Sequence, residues 1–113
     1  MSPRTIATPL GEFELLVMLA ALTLGPDAYP VSIARDIETR TGRKASRMTV
    51  LITLQRLEDK DLVTSWYGDA TPERGGRPKR FFKPNARGVQ AVRQSLERIT
   101  TMTAGLESVL RGR

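Results

Sequence analysis

The residues best suited to chemistry are five cations that surround a glycine pair, Gly75-Gly76. They are Arg74, Arg77, Lys79, Arg80 and Lys83. Arginine and lysine bind phosphate groups through charge-assisted hydrogen bonds, so the chemistry that they favour is recognition of a polyanion. Only Asp69 and Glu73 oppose them nearby. The positive charge of this segment is therefore locally uncompensated.

Apolar stretches on both sides of these cations predict the two strands of a β-hairpin. The first is expected from Leu62 to Tyr67 and the second from Pro78 to Lys83. The glycine pair lets the chain turn between them. A basic hairpin that directly follows a helical pattern is typical of a winged helix. The alternative is a solvated hairpin without a partner; phosphate contact is favoured because the cations cluster at a projecting turn.

The first helix is expected to have Thr8 as its N-cap and Pro9 in its first position, and to end at Gly25-Pro26-Asp27. Between Leu15 and Leu24 it is apolar on nearly every side. A helix of this kind is buried on several sides. In a small domain, this suggests that a partner chain covers part of it.

A second and a third helix follow with short connections. The second is expected to open at Pro30 and to close at Thr41-Gly42, and the third covers residues 46 to 60 with Ser46 as its N-cap. The core face of the third helix carries Val50, Leu54 and Leu57. Two helices joined in this way predict a helix-turn-helix.

The opposite face of the third helix is predicted to be exposed, with Arg47, Met48, Thr49, Ile52, Thr53, Gln55 and Arg56. The alternative is an ordinary surface, but exposed apolar residues favour contact with thymine methyl groups in a major groove. The acidic end of the helix, residues 58 to 61, is expected to point away from DNA. The predicted DNA-binding residues are Arg43, Lys44, Ser46, Arg47, Met48, Thr49, Ile52, Thr53, Arg56, Arg74, Gly75, Gly76, Arg77, Lys79 and Arg80.

A last helix is expected to start after Asn85, its N-cap, and to run to the C-terminus. Its apolar positions alternate by three and four residues, which is typical of a coiled-coil seam, although Thr103 is polar and Gly105 weakens a helix. A helix docked on its own domain is the alternative to a dimer interface. The predicted dimerisation residues are Val89, Val92, Leu96, Ile99, Thr103, Leu106 and Leu110.

Trp66 and Tyr67 allow two interpretations. They can be a pair that stacks on a ligand, or aromatic residues that pack the hairpin onto the body of the domain. Packing is favoured because aromatic residues at the end of a strand commonly have that role.

The amino-acid composition restricts the classes of function that this chain can have. The 113 residues carry 18 Lys and Arg against 12 Asp and Glu, a net charge of +6, which favours a polyanionic partner. There is no cysteine and no histidine, so neither a thiolate metal site nor the commonest general base is available. We expect no catalytic residue, metal or cofactor, and no enzyme. RNA binding is a third and weaker alternative, because RNA readers usually display aromatic residues for base stacking and this chain has few. No apolar run has membrane-spanning length, so a cytoplasmic protein is expected.

Four segments of the chain together resemble the PadR family of bacterial transcriptional regulators. They are LGEFELLVMLAAL at 10–22, AYPVSIARDIETRTGR at 28–43, TLQRLEDKDLV at 53–63 and TPERGGRPKRFFKPNARG at 71–88. PERGGRPKRFF is the most specific stretch. The chain departs from the family at Leu51, where relatives often have a tyrosine, so a tyrosine contact to DNA does not carry over.

The resemblance implies a mainly α fold with a small β-hairpin, that is, a winged helix-turn-helix (residues 1–85) followed by a C-terminal dimerisation helix (residues 86–113). It also implies a homodimer that represses transcription at a pseudo-palindromic operator. Some relatives bind an aromatic or drug-like effector at the dimer interface, and no residue of this chain identifies such a site. The alternative function is a winged-helix protein-interaction module without sequence-specific DNA binding.

Overall fold

The computed structural model describes residues 9–68 and 78–112. These residues form five helices and a two-stranded antiparallel sheet, which confirms the mainly α fold with a β-hairpin. In chain order the elements are α1 (Glu12–Leu24), α2 (Pro30–Thr41), α3 (Arg47–Asp59), β1 (Val63–Tyr67), β2 (Arg80–Pro84), α4 (Ala86–Thr103) and α5 (Glu107–Leu110), with a single 3₁₀ turn (Gly25–Asp27) after α1. None of the helices in the described ranges is long and apolar enough to cross a membrane.

Helix α1 begins later than predicted. Its N-cap is Gly11, and Pro9 precedes the helix, so the expected start at Pro9 is wrong. The Glu14 carboxylate accepts a hydrogen bond from the Gly11 amide at 2.9 Å. This bond satisfies a backbone donor that would otherwise be free at the helix start, and it places the first turn after Gly11.

Helices α2 and α3 agree with the sequence prediction. Pro30 is the first residue of α2, and Gly42 ends it with a φ of +77°, in the left-handed region where glycine is favoured. The Ser46 hydroxyl accepts a hydrogen bond from the Thr49 amide at 3.0 Å, so Ser46 is the N-cap of α3. The predicted core face of α3 is fully buried at Val50, Leu54 and Leu57.

We call the β1–β2 hairpin the wing. Its strands differ slightly from the predicted ranges: β1 begins at Val63, and β2 covers Arg80–Pro84. Tyr67 pairs with Arg80 and Trp66 with Phe81. The Phe82 amide donates to the Ala28 carbonyl at 3.0 Å, and this bond joins the hairpin to the segment before α2. Phe82 is fully buried in the core together with Met18, Ile33, Leu54 and Leu57.

Helix α4 is capped as predicted but does not continue to the C-terminus. Asn85 Oδ1 accepts a hydrogen bond from the Gly88 amide at 2.8 Å. The helix ends at Thr103, and Gly105 follows with a φ of +85°, so the expectation of one unbroken helix is wrong. A glycine in the left-handed region commonly terminates a helix, and α5 follows as a separate helix of four residues.

The first half of α4 packs against the domain. Gly88, Ala91, Val92 and Ser95 are buried on this side. A Cβ atom at Gly88 would overlap the Leu62 carbonyl oxygen and would lie 2.8 Å from Met18 Cε. Glycine at position 88 therefore lets the backbone of α4 approach Leu62, just before β1, and Met18 in α1 closely.

Candidate nucleic-acid interface

The side of α3 opposite the core is exposed and carries both apolar and basic residues. Met48 is 55% exposed and Ile52 is 46% exposed, one helical turn apart. Arg47, Gln55 and Arg56 are exposed beside them. This arrangement offers methyl and thioether groups at the centre of the face and cations at its edges.

Thr53 does not belong to this exposed face, so its predicted position is wrong. It is only 5% exposed, and its hydroxyl donates a hydrogen bond to the Thr49 carbonyl at 2.9 Å. Position 53 lies three residues from Val50 and four from Leu57, and the helical repeat therefore turns it towards the core. Thr49 is exposed, and its hydroxyl lies 3.0 Å from the Ser46 hydroxyl.

The connection between α2 and α3 presents Arg43 and Lys44, and both residues are exposed. The Arg43 guanidinium lies 4.7 Å from the centre of the Phe13 ring and 3.7 Å from Glu12 Oε1. Arg43 thus packs on α1. Lys44, the other cation of this connection, makes neither of these contacts.

Arg80 in β2 is held by neighbours in the protein. Its NH2 group donates to Glu58 Oε1 at 2.8 Å and to Ser65 Oγ at 3.1 Å. Its guanidinium also lies over the rings of Phe82 and Tyr67. Arg80 therefore has a structural role that competes with the predicted contact to DNA, because pairing with a carboxylate partly neutralises its charge.

The base of the wing is packed by aromatic side chains. The Trp66 ring stacks on Phe81 at 5.9 Å, and Phe81 meets the edge of Tyr29 at 5.6 Å. The Lys79 ammonium lies 4.3 Å from the centre of the Tyr29 ring. Trp66 thus packs on Phe81 within the wing, and Phe81 is the residue that contacts Tyr29 on the body of the domain. Packing of Trp66 and Tyr67 on the body stays a prediction, and both side chains are exposed.

A cleft of about 700 Å³ separates α3 from the base of the wing. Arg47, Gln55, Tyr67 and Lys79 are among the residues that line it. None of its described lining residues is acidic, and Arg47 and Lys79 have no carboxylate partner within the described ranges. The cleft is consequently positive, and it lies between the two elements that a winged helix places on DNA.

Four of the predicted DNA-binding residues, Arg74, Gly75, Gly76 and Arg77, lie outside the described residues. Their roles stay predictions from the sequence. The described strands bring the chain to this segment at Gly68, whose amide donates to the Lys79 carbonyl at 2.8 Å.

An ion pair fixes the other end of α3. Lys60 Nζ lies 2.9 Å from Glu14 Oε2. Burial alone would raise the pKa of the Glu14 carboxyl, but the hydrogen bond from the Gly11 amide and the charge of Lys60 outweigh it. The pKa of Glu14 is therefore lowered, and the pair ties α1 to the residue that follows α3.

The predicted dimerisation seam divides into a buried and an exposed part. Val92 is buried within its own domain, so its prediction as a seam contact is wrong, and Val89 is half-buried. The exposed large apolar residues of the C-terminal region are Leu96, Ile99, Met102, Leu106, Val109 and Leu110. The sequence interpretation missed Met102 and Val109 because a strict three-four alternation skips them. We call Leu96, Ile99 and Met102 the α4 stripe.

Solved structures with a similar fold are transcriptional regulators. A PadR family transcriptional regulator from Eggerthella lenta DSM 2243 has a TM-score of 0.67 and 20% identity, with 90% of this chain and 88% of that chain covered. A PadR family transcription regulator from Clostridium difficile R20291 has a TM-score of 0.67 and 18% identity, covering 88% and 99%. A transcriptional regulator from Clostridium thermocellum has a TM-score of 0.67 and 16% identity, covering 84% and 89%.

No protein-family model matches the sequence, and no curated protein matches it either. At 16 to 20% identity, these structures show likeness of fold. The likeness extends over 84 to 90% of the chain. The fold implied by the sequence resemblance is confirmed: this chain has the winged-helix fold of PadR family transcriptional regulators.

Proposed function

We propose that this protein is a sequence-specific DNA-binding transcriptional regulator, which acts as a homodimeric repressor on a pseudo-palindromic operator. The observation that carries the proposal is the exposed face of α3. Met48 and Ile52 project from it between Arg47 and Arg56. Apolar groups that read thymine methyls, flanked by cations that reach phosphate or guanine, suit a major groove.

The start of α3 supports a phosphate contact. Ser46 caps the helix, and the first backbone amides of α3 carry the positive end of the helix dipole. A DNA phosphate near this end would meet backbone donors as well as Arg47. Such a contact fixes the orientation of α3 in the groove, while the side chains along the exposed face select the bases.

The positive cleft supports a second backbone contact. When α3 enters a major groove and a wing follows the neighbouring groove, the phosphate backbone passes between them. Arg47 and Lys79 line the cleft at this place. In this arrangement the sequence-predicted cations Arg74 and Arg77 would extend the contact along the same backbone.

The α4 stripe supports assembly of two copies. Leu96, Ile99 and Met102 expose a continuous apolar surface, and exposed Leu22 on α1 adds to the apolar surface of the chain. Burial of such a surface against a second copy would remove it from water. Two heads held in this way would contact half-sites about one helical turn of DNA apart, or a multiple of it.

Titration of the purified protein against DNA from upstream of its own gene tests the proposal. A scrambled duplex of the same composition is titrated beside it, at low and at physiological salt. We expect preference for the upstream duplex that survives physiological salt, with two chains bound per site. Equal binding to both duplexes that salt abolishes would contradict sequence-specific recognition and would favour the protein-interaction module.

A matched pair of variants locates the contact. Arg47→Gln removes a cation from the cleft, and Arg87→Gln removes one from the start of α4, where Arg87 lies 3.7 Å from Asp61. Because a lost phosphate contact weakens binding to every sequence, Arg47→Gln should lower affinity for both duplexes and flatten the dependence on salt. Arg87→Gln should bind like the unchanged protein. Equal effects of the two substitutions would contradict the assignment of the cleft.

A further inference from the structure

A group of three side chains connects the last turn of α3 to both strands of the wing. Glu58 Oε1 accepts a hydrogen bond from Arg80 NH2 at 2.8 Å, and Glu58 Oε2 accepts one from Ser65 Oγ at 2.7 Å. The Nε and NH2 groups of Arg80 also donate to Ser65 Oγ, at 3.3 and 3.1 Å. Each carboxylate oxygen therefore holds a different strand.

The surroundings restrict the position of the Arg80 guanidinium. Its carbon lies 5.1 Å from the centre of the Phe82 ring and 5.7 Å from the centre of the Tyr67 ring. The side chains of Arg80 and Glu58 are 26% and 31% exposed, so the pair is only partly hydrated. A planar cation that stacks on rings and forms several directed hydrogen bonds has little freedom to reach a phosphate.

The group lies where it can determine the direction of the wing strands. Tyr67 and Arg80 form the pair of the β1–β2 ladder that is furthest from the core end, Val63 and Pro84. Residues 69 to 77, which include the predicted DNA contacts Arg74 and Arg77, follow directly along the chain. A change of strand angle at Arg80 would therefore move the neighbouring Lys79, which lines the cleft.

We infer that Glu58, Ser65 and Arg80 form a positioning element that sets the angle between the wing and α3, and so the spacing at which the two elements meet DNA. This inference rests on the proposed function. Arg80 is then a positioning residue and not a phosphate contact. Glu58, an acidic residue beside a DNA-binding face, contributes to DNA binding through its hold on the two strands.

The sign of the effect at Glu58 separates positioning from simple electrostatics. Removal of a negative charge near bound DNA increases affinity when charge alone decides. Removal of a residue that holds the wing decreases affinity in spite of the same charge change. Asp59 is the matched control because it is an exposed carboxylate on the same turn of α3.

The experiment measures binding of full-length Glu58→Ala and Asp59→Ala to the duplex that the unchanged protein prefers. We expect Glu58→Ala to bind about tenfold more weakly, since it loses hydrogen bonds to a charged group. Asp59→Ala should bind as well as the unchanged protein or better. Equal or stronger binding by Glu58→Ala would overturn the inference.

A second pair of variants keeps the test valid if Glu58→Ala fails to fold. Arg80→Lys keeps the positive charge but loses the planar fork that reaches Glu58 and Ser65 together. Arg87→Lys is the control, because it makes the same exchange at an exposed arginine at the start of α4. Positioning predicts weaker DNA binding by Arg80→Lys and no change in Arg87→Lys. Unchanged binding by Arg80→Lys would show a plain charge contact and would overturn the inference.

A readout without DNA separates failure of this inference from failure of the proposed function. Trp66 is the only tryptophan and stacks on Phe81 in the wing. If the group holds the wing, Glu58→Ala and Arg80→Lys should shift the Trp66 emission to longer wavelength at temperatures where far-ultraviolet circular dichroism shows an intact fold. An unshifted emission in both variants would overturn the positioning role, whether or not the protein binds DNA.

Discussion

Helices α3 and α4 both expose large apolar side chains, but the surroundings of these side chains differ. On α3, Met48 and Ile52 are two residues among cations. On α4, Leu96, Ile99 and Met102 form a stripe, and the charges near it are of both signs. Exposed apolar area alone does not identify a partner. The charge around it does, because a basic rim suits DNA and a mixed rim suits another copy of the chain.

The two surfaces also differ in extent. The apolar pair on α3 is too small for a stable protein interface, which usually buries about 800 Å² on each partner. Beside the α4 stripe, the chain exposes three more large apolar residues beyond the helix break, Leu106, Val109 and Leu110. We therefore expect the two surfaces to have separate partners, and substitutions on each should separate their roles.

The largest effect should come from charges placed in the α4 stripe. Burial of a leucine and an isoleucine contributes about 1.5 to 3 kcal/mol each, so Leu96→Glu with Ile99→Glu should raise the dissociation constant of the dimer by at least about 100-fold. Sedimentation equilibrium measures this directly. DNA affinity should fall as well, because each head of the proposed dimer contacts one half-site.

The matched control places the same charges on the other surface. Met48→Glu with Ile52→Glu adds two carboxylates to α3, and it should abolish DNA binding through repulsion of phosphate while the dimer stays intact. Loss of the dimer in this control would break the distinction between the surfaces. An intact dimer in the variant Leu96→Glu with Ile99→Glu would contradict this distinction as well.

The next effect concerns the half of α4 that packs on the domain. Gly88→Ala would place a methyl group against the Leu62 carbonyl oxygen and Met18 Cε. Overpacking against backbone should destabilise the fold by about 2 kcal/mol or more. Thermal unfolding at a fixed protein concentration should then show a midpoint lower by roughly 10 °C.

Gln90→Ala is the control for this substitution, because Gln90 is exposed on the same helix two residues later. Its unfolding midpoint should stay within a degree or two of the unchanged protein, as is usual for surface positions. Equal midpoints for Gly88→Ala and the unchanged protein would show that α4 packs less tightly than the structure has it. The division of α4 into a packed half and an exposed half would then be lost.

The sequence predicted most of the fold because short-range signals determine it. Ser46, Gly42 and Asn85 act as caps through bonds within four residues of themselves, and such local chemistry is visible in a sequence. The start of α1 was mispredicted because Thr8-Pro9 and Gly11 with Glu14 are competing start signals. The Gly11–Glu14 hydrogen bond, which the sequence interpretation did not weigh, decides between them.

The candidate site was predicted less completely, because it depends on contacts between distant parts of the chain. Arg80 and Glu58 lie 22 residues apart, and a count of cations does not show that one of them is paired. Thr53 was assigned to the exposed face by residue type, although its helical position turns it to the core. The buried Val92 fits the seam pattern equally well, since a core face and a partner face have the same periodicity.

A smaller effect should define the α3 surface more sharply. If Met48 or Ile52 contacts a thymine methyl, replacement of that thymine by uracil removes one methyl group from the interface. This should weaken binding by about fourfold, from about 0.8 kcal/mol for one buried carbon. Uracil placed at each thymine of a half-site in turn, with affinity measured each time, identifies the contacted base.

Ile52→Ala gives the control for the uracil series. A contact between Ile52 and the methyl group predicts that the variant binds thymine and uracil duplexes equally. If Ile52→Ala and Met48→Ala both keep the full preference for the thymine duplex over the uracil duplex, the apolar pair does not contact methyl groups. The α3 surface would then differ from the α4 stripe in its size and in its basic rim, but not through contact with methyl groups.

The smallest effect concerns the ion pair that ties α1 to the end of α3. The pKa of Glu14 is lowered in the folded protein, so its carboxylate stabilises the fold at pH values above its ordinary pKa of 4.5. This contribution is lost as the pH falls through the folded pKa, below 4.5. Glu14→Gln should therefore cost about 0.5 kcal/mol of unfolding free energy at pH 7 and progressively less as the pH falls below 4.5.

Urea unfolding of the unchanged protein and of Glu14→Gln, from pH 7 down to pH 3, measures this difference. Glu12→Gln is the control, because Glu12 is an exposed carboxylate on the same turn, 3.7 Å from Arg43. If the difference in unfolding free energy between Glu14→Gln and the unchanged protein does not decrease at acidic pH, the pairing with Lys60 is contradicted. The ion pair lies outside both apolar surfaces, so at neutral pH Glu14→Gln should leave both dimerisation and DNA affinity unchanged. If it weakened both together, the surfaces on α3 and α4 would be coupled through α1 and not independent.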